Sequence, residues 1–210
     1  MLPWLMDFTP WERYPALTVD RLIVIGGALR MGRDSAVEDY KPSKGDDTWT
    51  LGCTAYKRSC FNVKNASHEH SWLTILPEDN NRFTFAVAGV PMKFYHGLKD
   101  DPTSKTLNVS STEFANIQMS FDFGNFPDKE RFLRLAVTTG PDLTADTVTL
   151  VELSAGNVTG LFEIPRIGGA GVLTMTPKPI DPGPPSLTPI AEEEQNTRGN
   201  TKTGTEGNVR

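Results

Sequence analysis

Residues 71–97, SWLTILPEDNNRFTFAVAGVPMKFYHG, alternate apolar and polar positions with a period of two, the pattern of half-buried β-strands. Two apolar runs, 72–76 and 82–88, flank the turn formers Pro77-Glu78-Asp79-Asn80-Asn81, and a second turn at Gly89 leads into a third run. Such punctuation predicts a β-meander. Pairing Leu76 with Arg82 sets Leu73 opposite Phe85, and pairing Val87 with Met92 sets Phe85 opposite Phe94. One face then collects Leu73, Ile75, Phe83, Phe85, Val87, Met92 and Phe94. The other carries Thr74, Arg82, Thr84, Ala86, Lys93 and Tyr95, and His96 sits at the rim. A slip of one residue would mix the two sets, so the faces are well specified. Pro91 has no ladder donor, which predicts a second loop slightly longer than two residues.

A helical period takes over elsewhere. Leu22, Ile25, Leu29, Ala36 and Tyr40 recur at helical spacing over 19–40. After the breakers Pro42 and Gly45, the residues Asp46, Asp47 and Thr48 offer N-caps for a second helix. In it Trp49, Cys53, Tyr56, Cys60 and Val63 recur at intervals of four, three, four and three, which predicts a single buried stripe with Lys57, Arg58 and Lys64 largely off it. Ser110-Ser111-Thr112-Glu113 matches a capping box, so a third helix through Phe114, Ile117 and Phe121 is favoured over a strand. Three more strands follow at 131–138, 147–153 and 158–164. Their connections, Thr139-Gly140-Pro141-Asp142 and Ser154-Ala155-Gly156-Asn157, are turn chemistry. The expected fold is α+β: two N-terminal helices, an antiparallel β-meander, a helix, a second three-stranded β-meander and a disordered C-terminal tail. Helices are expected to cover one face of an antiparallel sheet.

Composition sets the boundaries. The first 16 residues hold Trp4, Phe8, Trp11 and Tyr14, an aromatic density that predicts an arm packed on the body or on a partner. Residues 17–168 form the single α+β domain. From 169 to 210 the chain is rich in Pro, Gly and Thr, with six prolines and no aromatic residue after Thr176. Such a segment cannot offset its ordering entropy and is expected to be disordered.

Charge and cysteine content narrow the function classes. A formal net charge of −5 argues against a dedicated nucleic-acid binder. No stretch approaches the ~18 apolar residues of a membrane span. Cys53 and Cys60 stand seven apart, on one face of a helix but about 10 Å apart along its axis, too far to bridge. With no charged segment and apolar core of a secretion signal at the start, the expectation is a cytoplasmic protein that meets no membrane.

Candidate chemistry is sparse. Gly27-x4-Gly32 has the spacing of a phosphate-binding loop, but the Lys and Ser/Thr that should follow are Arg33 and Asp34, and a carboxylate beside phosphates is electrostatically wrong. Close helix packing at Gly26, Gly27 and Gly32 is the better account. His68-Glu69-His70 with Cys53 and Cys60 lacks the paired spacing that points two ligands at one ion, so neither a metal nor a cofactor is expected. No nucleophile elbow is present. The residues that remain as weak catalytic candidates are His96, Tyr95, Arg82 and Lys93, expected to line a cleft. A binding surface is expected from Trp4, Trp11, Tyr14, Lys93 and Tyr95, because aromatic and cationic residues anchor interfaces.

The segments DDTWTLGCTAYKRSC, WLTILPE…RFTFAVAGVPMKFYHG and RLAVTT…VTLVEL…IP together resemble a group of uncharacterised bacterial proteins. Their genes lie beside regulators that combine a helix-turn-helix with an ImmA/IrrE-type metallopeptidase domain. The likeness spans roughly residues 17–165, and the group supplies no catalytic residues to transfer. The peptidase's own HExxH motif is absent. The resemblance implies a partner, substrate or toxin-like companion of such a regulator. The expected function is a non-enzymatic protein-interaction partner in a bacterial toxin–antitoxin, stress or mobile-element module. A toxin-like enzyme acting on RNA or a nucleotide is the alternative, and a phage-derived or structural assembly subunit the third.

Overall fold

The computed structural model describes residues 8–77, 83–122 and 131–166, all within one compact unit, residues 1–171. Trp4, Arg82 and the expected disordered tail over 169–210 lie outside the described residues. The chain is α+β. After the short helix α1 (Pro10–Arg13) come the long helix α2 (Val19–Asp39), a 3-10 turn at Pro42–Lys44 and the long helix α3 (Thr48–Glu69). Strands β1 (Leu73–Ile75), β2 (Phe85–Val87) and β3 (Val90–His96) follow. Helices α4 (Ser104–Leu107) and α5 (Ser111–Asp122) then lead to β4 (Arg131–Thr139), β5 (Ala145–Ser154) and β6 (Asn157–Glu163). Among the described residues no helix is long and apolar enough to cross a membrane.

The six strands form one sheet in sequence order. Within β1-β2-β3 and β4-β5-β6 the pairing is antiparallel, but β3 and β4 run parallel. The expected all-antiparallel sheet is therefore corrected to a mixed one. A parallel join needs a crossover, and α4 and α5 supply it. Nor do helices cover one face only. Tyr56 of α3 tilts against Phe94 at 5.1 Å and its hydroxyl accepts from the Phe83 amide. Glu113 of α5 pairs instead with Lys93 and Arg134. Neighbouring residues of a strand point to opposite faces, so α3 and α5 sit on opposite sides of the sheet.

The meander keeps its predicted faces but not its predicted partners. Leu73 pairs with Val87 and Phe85 with Met92, each two residues from expectation, a shift that leaves face parity unchanged. The second loop has only two residues, Ala88 and Gly89, at φ 48° and 88°, the conformation of a tight type I′ hairpin. Pro91 is tolerated because it faces Ala86. That pair follows the hydrogen-bonded pair Val87–Val90, and in the alternating antiparallel ladder it exchanges no hydrogen bonds. The β5–β6 turn repeats the device with Ala155 at 48° and Gly156 at 80°.

Helix α3 starts where expected, with Asp47 accepting from the Thr50 amide at 2.7 Å. Its buried set is Leu51, Ala55, Ser59, Cys60, Val63 and Ala66, whereas Trp49 and Cys53 are exposed. The predicted stripe is thus rotated, and the two cysteines, which form no disulfide, do not share an environment: Cys53 is exposed and Cys60 buried. The cause is that α3 buries two flanks, one against the sheet and one against α2. On the second, Arg58, Ser59 and Asn62 donate to the carbonyls of Ser35, Leu29 and Ala28. Partner numbers fall as α3 advances, so the two helices are antiparallel. A Cβ on Gly32 would lie 2.5 Å from the Ser59 amide nitrogen, and one on Gly26 2.9 Å from Ile164, while Gly27 has open space. Close packing accounts for two of the three glycines.

Candidate functional site

Three of the buried polar groups among the described residues bear on function. Under α5, the Arg134 guanidinium forms a two-pronged pair with Glu113, and both are almost wholly buried. Arg134 also donates to the carbonyls of Thr106, Asn108 and Leu133. Lys93 Nζ meets Glu113 Oε2 at 2.5 Å and Ser110 Oγ at 3.2 Å. The capping box is complete: the Glu113 amide donates to Ser110 Oγ, and the Ser110 amide to Glu113 Oε2. These charges are spent on joining the crossover to the two parallel strands.

The second group centres on Glu152 of β5, on the opposite face. It accepts from Arg13, from the Tyr14 hydroxyl at 2.7 Å, from Arg131 at 2.9 Å and from Thr159 at 2.9 Å. Burial pushes its carboxyl up, but the hydrogen bonds from Arg13, Tyr14 and Thr159 hold it below the usual carboxylate range. Burial first, then Glu152, pushes the Tyr14 phenol up. Phe8 packs on Gly160, and Trp11 meets Phe162 edge-on at 5.4 Å. The described part of the aromatic arm is therefore packed on the body.

The third is His96. Neither ring nitrogen has a hydrogen-bond partner, and both are buried. The ring stands edge-on to Phe94 at 6.1 Å. Burial, and then the Arg33 guanidinium, hold the imidazole down at about 4. Arg33 itself donates to the Leu143 carbonyl, and its neighbour Asp34 accepts from the Ala145 amide. The residues that interrupted the phosphate-loop pattern tie α2 to the start of β5.

Among the described residues, His96 is not brought together with Lys93 and Tyr95; Arg82 and Trp4 lie outside them. Lys93 is buried, not outward-facing, because its face of the sheet is covered by α5. Tyr95 is half-buried on that same face, its hydroxyl donating to the Leu98 carbonyl. Burial pushes its phenol up to about 12. His96 lies on the other face of β3, so His96 cannot share a cleft with Lys93 and Tyr95. Tyr14 is fully buried, and of the expected binding anchors only Trp11, at 39% exposure, keeps a sizeable open surface among the described residues. Among those residues no three His, Cys, Asp or Glu side chains come together as a metal site. A cavity of about 170 Å³ at the α2–α3 end is lined by Ala36, Tyr40, Thr50, Thr54 and two carboxylates. Both carboxylates are engaged, Asp39 by Arg58 and Asp46 by the Lys41 amide.

What sequence reasoning missed is the outward side of α3. Trp49, Cys53, Lys57 and Phe61 are all exposed, with Trp49 at 74% and Phe61 at 59%. Residues four apart form a ridge on a helix surface, and this one runs for about 18 Å. The small residues Ala55, Ser59 and Ala66 were the available signal, since a tight helix contact consumes small side chains and turns the large ones out. No family model matches this sequence, and none of the curated proteins does either.

Proposed function

We propose that this chain works by binding another protein, and that the α3 ridge is where it binds. The observation that carries this reading is the exposure of Trp49 and Phe61 on one row of a helix whose other flanks are already packed. Large aromatics left in water on a rigid element are interaction anchors. The described part of the arm is less suited, because Tyr14 and Phe8 are consumed by the fold. The resemblance to proteins encoded beside metallopeptidase regulators favours such a regulator as the partner, in a toxin–antitoxin, stress or mobile-element module. The toxin-like enzyme reading has His96 as its best remaining residue, and a buried, neutral imidazole separated from Lys93 and Tyr95 by the sheet supports it poorly. The test is co-purification from the native host. Trp49→Ala combined with Phe61→Ala should abolish recovery of the partner while the unfolding midpoint stays within error. Unchanged recovery would refute the reading.

A further inference from the structure

The sheet has two edges, and they are built differently. Strand β1 at one end has three residues, and its Leu73 amide turns back to the His70 carbonyl. Strand β6 at the other end has seven, with neither the lysine nor the proline that commonly blocks an edge. The Ile164 amide donates to the Val148 carbonyl of β5. Phe162 faces Leu150, and Gly160 faces Glu152, in the same phase, so these alternate residues bond to β5. The amides and carbonyls of Leu161 and Glu163 therefore point away from it, and they bond to nothing among the described residues. Apolar surface borders this open edge. Leu161 and Phe162 are half-buried, and Trp11, edge-on to Phe162, keeps 39% of its surface exposed.

We propose that β6 pairs antiparallel with β6 of a second copy of this chain, about a two-fold axis at Phe162. Outward-facing residues alone can exchange bonds across the edge, which leaves axes at Leu161, Phe162 or Glu163. An axis at Leu161 would draw in Thr159, the extra residue where the β5–β6 register shifts, and a bulge disrupts the ladder. An axis at Glu163 would set Glu163 against its own copy and Leu161 against Pro165, giving facing like charges and a missing donor. The axis at Phe162 avoids both. Leu161 of each copy then exchanges bonds with Glu163 of the other, and Glu163 keeps Lys99 at 3.7 Å. The two Phe162 side chains meet at a non-hydrogen-bonded position, the closest kind of cross-strand pair. Gly160 falls opposite Ile164, small against large. This self-complementary register is what selects a second copy over a strand of another protein. The contact is smaller than the ~1,200–2,000 Å² of a stable interface, so the dimer forms reversibly and with concentration. Helix α3 packs at the β1 end of the sheet, so the inference stands independently of the reading given for its ridge.

The test is sedimentation velocity on the full chain over a concentration series, where a reversible monomer–dimer equilibrium is expected. Leu161→Pro removes an outward donor from each copy and no bond to β5, so it should raise the dissociation constant about ten-fold with an unchanged circular dichroism spectrum. A second measurement reads the register directly. In a Cys53→Ser chain, Phe162→Cys should form a disulfide-linked dimer on mild oxidation, because directly opposed strand positions meet disulfide geometry. Asn157→Cys, exposed on the same strand but far from the axis, should not. A chain that stays monomeric at every concentration overturns the proposal. So does a dimer that a folded Leu161→Pro variant leaves intact, or cross-linking at 157 that equals or exceeds that at 162. If Leu161→Pro does not fold, the pair of cysteine variants decides alone.

Discussion

His96 offers the sharpest test of how the interior works. Its imidazole is held at about 4 against an ordinary value of 6.5, by burial first and by the Arg33 guanidinium second. The folded state therefore favours the neutral ring. Above pH 6.5 the group is neutral in both states and stability is at its full value. As pH falls below 6.5 the unfolded chain takes up a proton that the folded chain refuses. Stability then drops at about 1.4 kcal/mol per pH unit until the folded imidazole itself titrates near 4. The whole window amounts to about 3 kcal/mol. His96→Phe removes the titrating group, and an edge-on ring beside Phe94 is already the arrangement present. Urea unfolding at pH 7.5 and 4.5 measures the effect. Carboxylates common to both proteins cancel in the comparison. The unmodified protein should lose about 2–3 kcal/mol more than His96→Phe between the two pH values. Parallel profiles for the two proteins would refute the argument, and so would an NMR titration placing the His96 ring near 6.5 in the folded state.

Four further outcomes follow from the packing and the backbone. Gly32→Ala should destabilise by about 1–3 kcal/mol, since the new methyl meets the Ser59 backbone and overpacking outweighs the gain in helix propensity. Gly27→Ala, with nothing near it, should instead stabilise by up to about 1 kcal/mol; equal effects in thermal unfolding would contradict the close crossing. Glu113→Gln should cost about 3–5 kcal/mol in urea unfolding, because it removes the carboxylate that pairs with the buried Arg134 guanidinium. A loss below about 1 kcal/mol would mean that water reaches the pair. Ala155→Asn should stabilise slightly, by about 0.5–1 kcal/mol, because Asn tolerates the positive φ of a type I′ turn better than Ala does; a lower unfolding midpoint would argue against that turn.

Local features were legible and joining features were not. The Ser110–Glu113 capping box and the Asp47 cap involve partners within four residues, so composition alone locates them. Both Ala-Gly hairpins stand where Gly marks a turn, and the strand faces follow from alternation. Alternation cannot distinguish registers that differ by two, because both keep the same faces. It also says nothing about the strand that lies beside β3, so the parallel join to β4 stayed hidden. The site failed for a related reason. Lys93 alternates with Phe94, and the ordinary inference turns a lysine outward. That inference assumes one solvated face, whereas α5 covers the second face and supplies Glu113 to meet the charge.

The fold thus reverses the usual distribution of chemistry and stability. Lys93, a catalytic candidate in sequence, and the charged residues Glu113, Arg134, Glu152, Arg33 and Asp34 are each bound into the join between two secondary elements. Trp49, expected in the buried stripe of α3, stands in water, and so does Phe61. A charge buried in a complete network contributes to which structure forms and leaves no open valence for a substrate. An aromatic exposed to this degree contributes little to folding and retains most of its surface for a partner. Mutagenesis should therefore separate cleanly into two sets. Truncating the buried charges should lower the unfolding free energy and reduce partner binding only in proportion to the folded fraction. Truncating Trp49 or Phe61 should leave the unfolding free energy unchanged and reduce binding directly. A buried charge whose loss abolished activity at full stability would break this division and would locate chemistry inside the sheet.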